Sequence, residues 1–223
     1  LHRERVELVR KGLAEAQGKR VLELGNMAWY GYLEQKGIIP ETTVAINISE
    51  AELDKGRELA INSEIQPQFY LMDAHKLAFP DNSFDVVFGA AILHHLEHEV
   101  ILKEIHRVLK PDGFIFFLEP LDNNPVGKLI RLCTPEARTD DEQPWRFREI
   151  KIFKKYFSFE DLTYQGLFSV PIGVVSRLLF RKNPENALNR FGFALDKGFL
   201  KIMPFAGPIY RQIVFKARPR VKT

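Results

Sequence analysis

The stretch FYLMDAHKLAFPDNSFDVVFGAAILHHLEHEVILKEIHRVLKPDGFIFFLE, Phe69–Glu119, decides how the rest of the chain is read. Two short apolar runs, Phe84–Ala90 and Phe114–Leu118, flank a helix-like run from about Leu96 to Leu109. In that run Ile101, Ile105, Val108 and Leu109 fall at i, i+4, i+7 and i+8, which is one face of a helix. Pro111, Asp112 and Gly113 are expected to stop the helix and turn the chain into the next strand. Strand, helix and strand in so short a span make a βαβ unit, which implies parallel pairing with a right-handed crossover.

Working outward, Arg20–Leu24 (RVLEL) reads as the first strand, Thr43–Ile48 (TVAINI) as the second and Gln68–Met72 as the third. The two apolar runs are the fourth and fifth. Residues 1–17 put Val6, Val9 and Leu13 on one helical face, and Gly18 ends that helix. Ser49 is expected to cap a helix with Glu52 completing a capping box, and Leu53, Ala60 and Ile61 to form its buried face. Strands alternating with helices give an α/β, doubly wound sheet. Residues 120–146, rich in Pro, Asp, Asn and Arg, read as a loop or short lid. Eleven of the eighteen phenylalanines fall between Phe147 and Phe215. This aromatic-rich elaboration either covers the last strands as core or walls an apolar pocket above the sheet. Ile209–Ala217 alternates as a final strand, and residues 218–223 form a solvated basic tail.

Composition narrows the classes. A net charge of +3 is too small to argue for nucleic acid. Cys133 is the only cysteine, so no intrachain disulfide can form, and a reducing, cytoplasmic setting is expected. The opening LHRERVELVRKGL is charged and helical in period, unlike a secretory signal; it lacks an initiator Met, so residues upstream are expected. No apolar run is long enough to span a bilayer. His, Cys and carboxylates show no metal-site spacing, and no G-x-G-x-x-G follows a strand, which argues against zinc and hydride chemistry.

DAHKLAFPDNSFDVV, then HHL, then EIHRVLKPDGFIFFLEP resemble the class I S-adenosylmethionine-dependent methyltransferases, in the type 11-like branch that acts mostly on small molecules. The resemblance runs from Val21 to Glu119. It implies a mostly parallel seven-stranded sheet whose final strand is antiparallel, in a single domain over 1–223. Residues 1–119 are then the cofactor-binding half, 120–208 a lid or acceptor-side elaboration, and 209–217 the closing strand.

The cofactor implied is S-adenosylmethionine, lying at the C-terminal ends of the strands near the topological switch point. Residue by residue, the resemblance carries over Glu23 and Gly25 in VLELG, Asn47 and Ile48 at the end of the second strand, Asp73 and Ala74 at the adenine, and Ala90 at the methionine end. Met27 and Trp29 stand where the family has glycines, and Asn47 where it has a carboxylate for the ribose hydroxyls. A Cβ in such a loop blocks close backbone approach or a positive φ.

Methyl transfer is an in-line displacement in which positioning supplies most of the acceleration, with a base needed when the acceptor is a hydroxyl. His94 and His95 follow the fourth strand and are the candidate bases, with Glu119 a further candidate at the end of the fifth. His75, His98 and His106 read as solvated. GAAI stands where amine methylases of nucleobases carry an Asp/Asn-Pro-Pro-aromatic run, so a nucleobase is not the expected acceptor.

The leading expectation is methyl transfer to a small, apolar or glycosylated acceptor, with the oligomeric state open. Two other readings stay open. Met27, Trp29 and Asn47 suit a methyltransferase fold that no longer transfers methyl and serves as a binding or partner subunit or as host to another reaction. LFSVPIGVVSRLLFRK, with Arg177, Arg181 and Lys182 beside an apolar face, suits peripheral membrane work on a lipid-linked acceptor.

Overall fold

The computed structural model describes residues 9, 11–25, 30–121, 124, 145, 147–179 and 186–220. Its frame is one seven-stranded sheet in the order β3-β2-β1-β4-β5-β7-β6. The strands are β1 (Arg20–Leu24), β2 (Thr42–Asn47), β3 (Gln68–Leu71), β4 (Phe84–Ala90), β5 (Leu109–Pro120), β6 (Phe157–Gln165) and β7 (Gln212–Pro219). The first five run parallel, and β7 lies antiparallel between β5 and β6. β1 and β4 have the bounds their apolar runs predict. The sheet is therefore the doubly wound, mostly parallel one that the sequence implies.

Side-chain alternation sorts the central strands onto two faces. Leu22, Leu24, Val87, Ile115, Phe117 and Phe215 point to one cluster, and Val21, Val86, Phe88, Phe114, Phe116 and Val214 to the other. The second face is covered by Val9, Leu13, Tyr30 and Leu33, the last two from α1 (Tyr30–Glu34). The first face is covered by α3 (His98–Val108), whose Ile101, Leu102, Ile105 and Val108 are fully buried. Beside it stands α4 (Phe147–Tyr156). Much of the aromatic-rich segment belongs to this core: Phe153 packs on Phe157 at 5.3 Å, on Phe215 at 5.1 Å and on Trp145 at 5.6 Å between ring centres. Full burial of a side chain of this size is worth about 1.5–3 kcal/mol.

Several local expectations need correcting. No turn separates α3 from β5. The helix ends at Val108, and Leu109 already pairs with Phe84. Pro111–Gly113 instead lie inside β5, where the register jumps from Leu109↔Phe84 to Phe114↔Val86. A Cβ on Gly113 would stand 2.7 Å from the Asp85 carbonyl oxygen, so glycine permits that bulge. On α2 (Glu50–Ala60), Leu53, Gly56 and Ala60 are buried, but Ile61 sits past the last turn and is 72% exposed. Ser49 does cap α2 by accepting from the Glu52 N–H at 3.4 Å. The reciprocal half of the capping box is replaced, because Asn47 Oδ1 takes the Ser49 N–H at 3.0 Å. β6 is the seventh strand that the sequence does not locate, and it falls within the aromatic-rich segment. Beyond it lie α5 (Ser169–Leu179) and α6 (Ala187–Ile202). The predicted loop at 120–146, apart from Pro120, Leu121, Asn124 and Trp145, lies outside the described residues, as do Val6 and Cys133.

Candidate active site

The chain passes from β1 outward to β2 and β3, then returns to β4 on the other side of β1. That reversal is the switch point, and a crevice opens there at the C-terminal ends of the strands. The strands end in step: Leu24 pairs with Ile46 and Gly89, and Asn47 with Leu71. Two bonds carry the ladder past the strand ends, Gly25 N–H to the Ile46 carbonyl at 3.0 Å and Met72 N–H to the Asn47 carbonyl at 2.9 Å. Gly25, Ile48 and Asp73 thus stand in a row along one edge.

Gly25 has φ +86°, a conformation that favours glycine. A Cβ there would lie 3.2 Å from Ile92 Cδ1, so the loop after β4 packs directly against the loop after β1. Asn47 ties the same loop down: its Nδ2 donates to the Gly25 carbonyl at 2.9 Å while Oδ1 holds the Ser49 N–H. A carboxylate could not make the first of these bonds. The substitution that looks like a loss in sequence is a brace in the fold. Met27 and Trp29 lie outside the described residues, and Gly31 falls within α1.

The other carried-over positions divide in two. Ile48 is 77% exposed at the mouth of the crevice, and the Asp73 side chain is also mostly exposed. Asp73 Oδ1 accepts from the His75 N–H at 2.9 Å and meets His75 Nδ1 at 2.8 Å. These bonds, the backbone N–H foremost, hold its carboxyl below the usual range. Glu23, Ala74 and Ala90 are instead buried beneath the edge. Glu23 sits on β1 between Ala45 and Phe88. Burial, with the Glu23 charge second, pushes the Tyr30 phenol up to about 12.

On the opposite lip, β4 ends at Ala90 and Ala91 takes φ +53°, its N–H donating to the Leu118 carbonyl at 2.8 Å. That twist feeds a 3₁₀ turn, Leu93–His95. Glu119, fully buried, anchors the turn by accepting from the N–H groups of Ile92 at 3.1 Å, Leu93 at 2.9 Å and His94 at 3.4 Å. Its Oε2 also meets His94 Nδ1 at 3.0 Å. An ionised carboxylate only accepts, so Nδ1 carries the hydrogen and Nε2 is left as the basic nitrogen. His94 and Glu119 are therefore one unit, with the His95 ring 4.1 Å from that of His94.

His98 corrects another expectation. It is buried rather than solvated, edge-on to Trp145 at 5.8 Å, and burial lowers its pKa. His75 and His106 are also engaged, His75 Nε2 accepting from the Glu97 N–H and His106 Nε2 reaching the Arg220 carbonyl. Sequence reading missed Ile92, His98 and the Asn47 brace, because only three-dimensional neighbours reveal them. Among the described residues no group of His, Cys, Asp or Glu is arranged to hold a metal ion.

Two cavities flank the sheet. One of about 490 Å³ lies where β6 ends and β7 begins, on the same edge as Glu119, and is lined by Val170, Val174, Phe193, Arg177, Arg211 and Gln212. Another of about 600 Å³, around Lys103, His106, Arg107 and Arg220, opens at the opposite edge, away from the crevice.

A family model described as a methyltransferase domain matches residues 23–117. Those bounds take in the crevice row and both strands that flank α3. Over those residues, less than half of the chain, the sequence is similar to the class I S-adenosylmethionine-dependent methyltransferases. It is also similar to the ubiquinone/menaquinone biosynthesis C-methyltransferase UbiE of Cupriavidus metallidurans, 34% identical over 107 residues. The match covers 46% of this chain and 43% of that one, so the chain spans less than half the length of the curated relatives it matches. Among solved structures it is similar to the PH0226 protein from Pyrococcus horikoshii OT3, with TM-score 0.63, 22% identity, and coverage of 98% of this chain and 91% of that one. Geranyl diphosphate C-methyltransferase from Streptomyces coelicolor A3(2) gives TM-score 0.67 at 11% identity, covering 99% of this chain and 78% of that one. At those identities the two structures speak for the methyltransferase fold alone.

Proposed function

We propose that this chain moves a methyl group from S-adenosylmethionine to a small, apolar or glycosylated acceptor. The reading rests on the row of Gly25, Asn47, Ile48 and Asp73 at the ends of the first three strands, with the His94–Glu119 unit at the ends of β4 and β5 on the same edge of the sheet. The residues present fit the nucleoside end of the cofactor. Gly25 lets the loop after β1 turn at φ +86° close against Ile92, Ile48 offers an exposed apolar surface, and Asp73 an exposed, ionised carboxylate. Glu23, Ala74 and Ala90 support that edge from below. When bound, the cofactor supplies an electrophilic methyl on a sulfonium with a neutral thioether as leaving group. Glu119 holds the His94 tautomer, and His94 Nε2 accepts the acceptor's proton, contributing the roughly 10²–10⁴-fold of a positioned base, about 3–5 kcal/mol. His95, against His94, lines the same lip.

We place the acceptor in the cavity of about 490 Å³, whose apolar wall suits an apolar body and whose Arg177, Arg211 and Gln212 suit its polar end. Residues 1–119 are then the cofactor-binding half and 120–208 the acceptor side of a single domain, with cytoplasm as the compartment proposed. Among the described residues no helix is long and apolar enough to cross a membrane. Titration calorimetry with S-adenosylmethionine and S-adenosylhomocysteine tests the reading. Saturable binding of both is expected, and no heat at millimolar ligand would return the chain to the non-transferring reading.

A further inference from the structure

Helix α6 carries two apolar faces. The inner one, with Gly192 and Phe193 buried and Phe199 and Leu200 half-buried, packs toward the sheet. The outer one is bare: Phe191 is 56%, Leu195 36% and Ile202 80% exposed. At 100° per residue these three fall within a sector of about 40°, so they form one stripe along the helix. The 3₁₀ turn that follows, Pro204–Ile209, extends it with Phe205, 75% exposed, and Ile209. On α5, Val174, Val175 and Leu179 are exposed as well. Scattered exposed aliphatics are ordinary, but a continuous run with two phenylalanines marks an interaction surface.

Charge says what that surface meets. Between Gly166 and Arg211 the sequence has seven basic residues and two acidic ones, a net of +5 in a chain whose total is only +3. One of the two acids, Asp196, is buried. Its carboxylate accepts from the N–H groups of Gly166 at 2.9 Å and Phe168 at 2.7 Å and from Ser169 Oγ at 2.6 Å. It caps the start of α5 and presents no charge outward. Arg190, Lys197 and Lys201 are exposed and fall together on one flank of the apolar stripe. An exposed apolar stripe bordered by cations, with no exposed acid on the helix, is the pattern of a helix lying in a bilayer interface.

We propose that the outer face of α6 and its 3₁₀ extension dock on an anionic lipid bilayer, with Phe191, Ile202 and Phe205 entering the headgroup region and Arg190, Lys197 and Lys201 meeting lipid phosphates. The docking does not depend on methyl transfer and is read without cofactor. The whole chain is sedimented with vesicles of phosphatidylcholine alone and of phosphatidylcholine mixed with phosphatidylglycerol, at low and high salt. Binding is expected to the mixed vesicles only and to weaken with salt. Lys197→Glu with Lys201→Glu should lower the partition roughly tenfold or more, and Phe191→Glu with Ile202→Glu should abolish it, with thermal melts unchanged because all four side chains face solvent. Absence of sedimentation with the mixed vesicles, or equal binding to the neutral ones, overturns the proposal. So does a stable dimer of the wild type that Phe191→Glu dissolves, since the face would then belong to a second copy.

Discussion

Replacing Glu119 tests whether the His94 turn is held the way its geometry says. Glu119→Ala strands the N–H groups of Ile92 and Leu93, whose bonds to the carboxylate are 3.1 and 2.9 Å long. Bonds to a charged group are worth about 1.5–3 kcal/mol each, so the loss should be roughly 3–6 kcal/mol, a large share of the ~5–15 kcal/mol that folds a typical domain. Glu119→Gln keeps the shape and one oxygen. That oxygen still serves Ile92 and Leu93, and the new amide nitrogen faces His94, where it must donate to Nδ1. The imidazole hydrogen then moves to Nε2 and the basic nitrogen is lost. Stability should fall by about 1.5–3 kcal/mol while any base function disappears. Urea titration reads the first effect, and ¹⁵N chemical shifts of the His94 ring read the second. A Glu119→Gln protein whose His94 keeps hydrogen on Nδ1, or a Glu119→Ala protein that loses less than about 1 kcal/mol, would refute the reasoning.

Other perturbations have similarly definite outcomes. Asn47→Asp sets a carboxylate against the Gly25 carbonyl that Asn47 now donates to at 2.9 Å; it should cost about 1–3 kcal/mol and weaken cofactor binding, and calorimetry showing tighter binding would contradict the brace. Gly25→Ala meets both φ +86° and the Ile92 side chain at 3.2 Å, so a loss of about 1–2 kcal/mol in chemical denaturation is expected. His98 has its pKa lowered by burial, so the folded state resists its protonation. Its stabilising contribution is therefore complete above the ordinary histidine value of about 6.5 and is lost as pH falls through that value toward the lowered one. The urea midpoint should drop on acidification from about pH 7.5 to 5, and His98→Phe should flatten that drop.

What the sequence shows and what it hides follow from where the information sits. β1 and β4 are buried on both faces over most of their length, so each is a mostly apolar run broken only by Glu23 or Asp85, and its ends are sharp. β6 lies at the sheet edge with most of FSFEDLTYQ exposed or half-exposed and a register shift between Phe159 and Asp161, so no alternation announces it. Helix period placed α3 well, yet it could not show that Trp145, far along the chain, closes over His98. The Asp73 carboxylate accepts from the His75 N–H only two residues on, a local bond that the adenine role carried over from the resemblance leaves out. Asn47 reads as a defect in one dimension because the Gly25 carbonyl it serves belongs to another strand's loop.

The position of β7 also fixes when the fold can close. β5 is made early, but its free edge at residues 115–120 waits for residues 212–217, and among the described residues β6 pairs with β7 alone. During synthesis the parallel half of the sheet therefore stands with a row of unpaired backbone N–H and C=O groups beside the buried position of Phe117. Such an edge is where nascent chains pair with one another instead of with themselves. The antiparallel strand is thus a late zipper, and the half that carries the crevice keeps an open edge until it arrives. Yield on expression should depend on how fast that last strand arrives, more than on anything in the crevice.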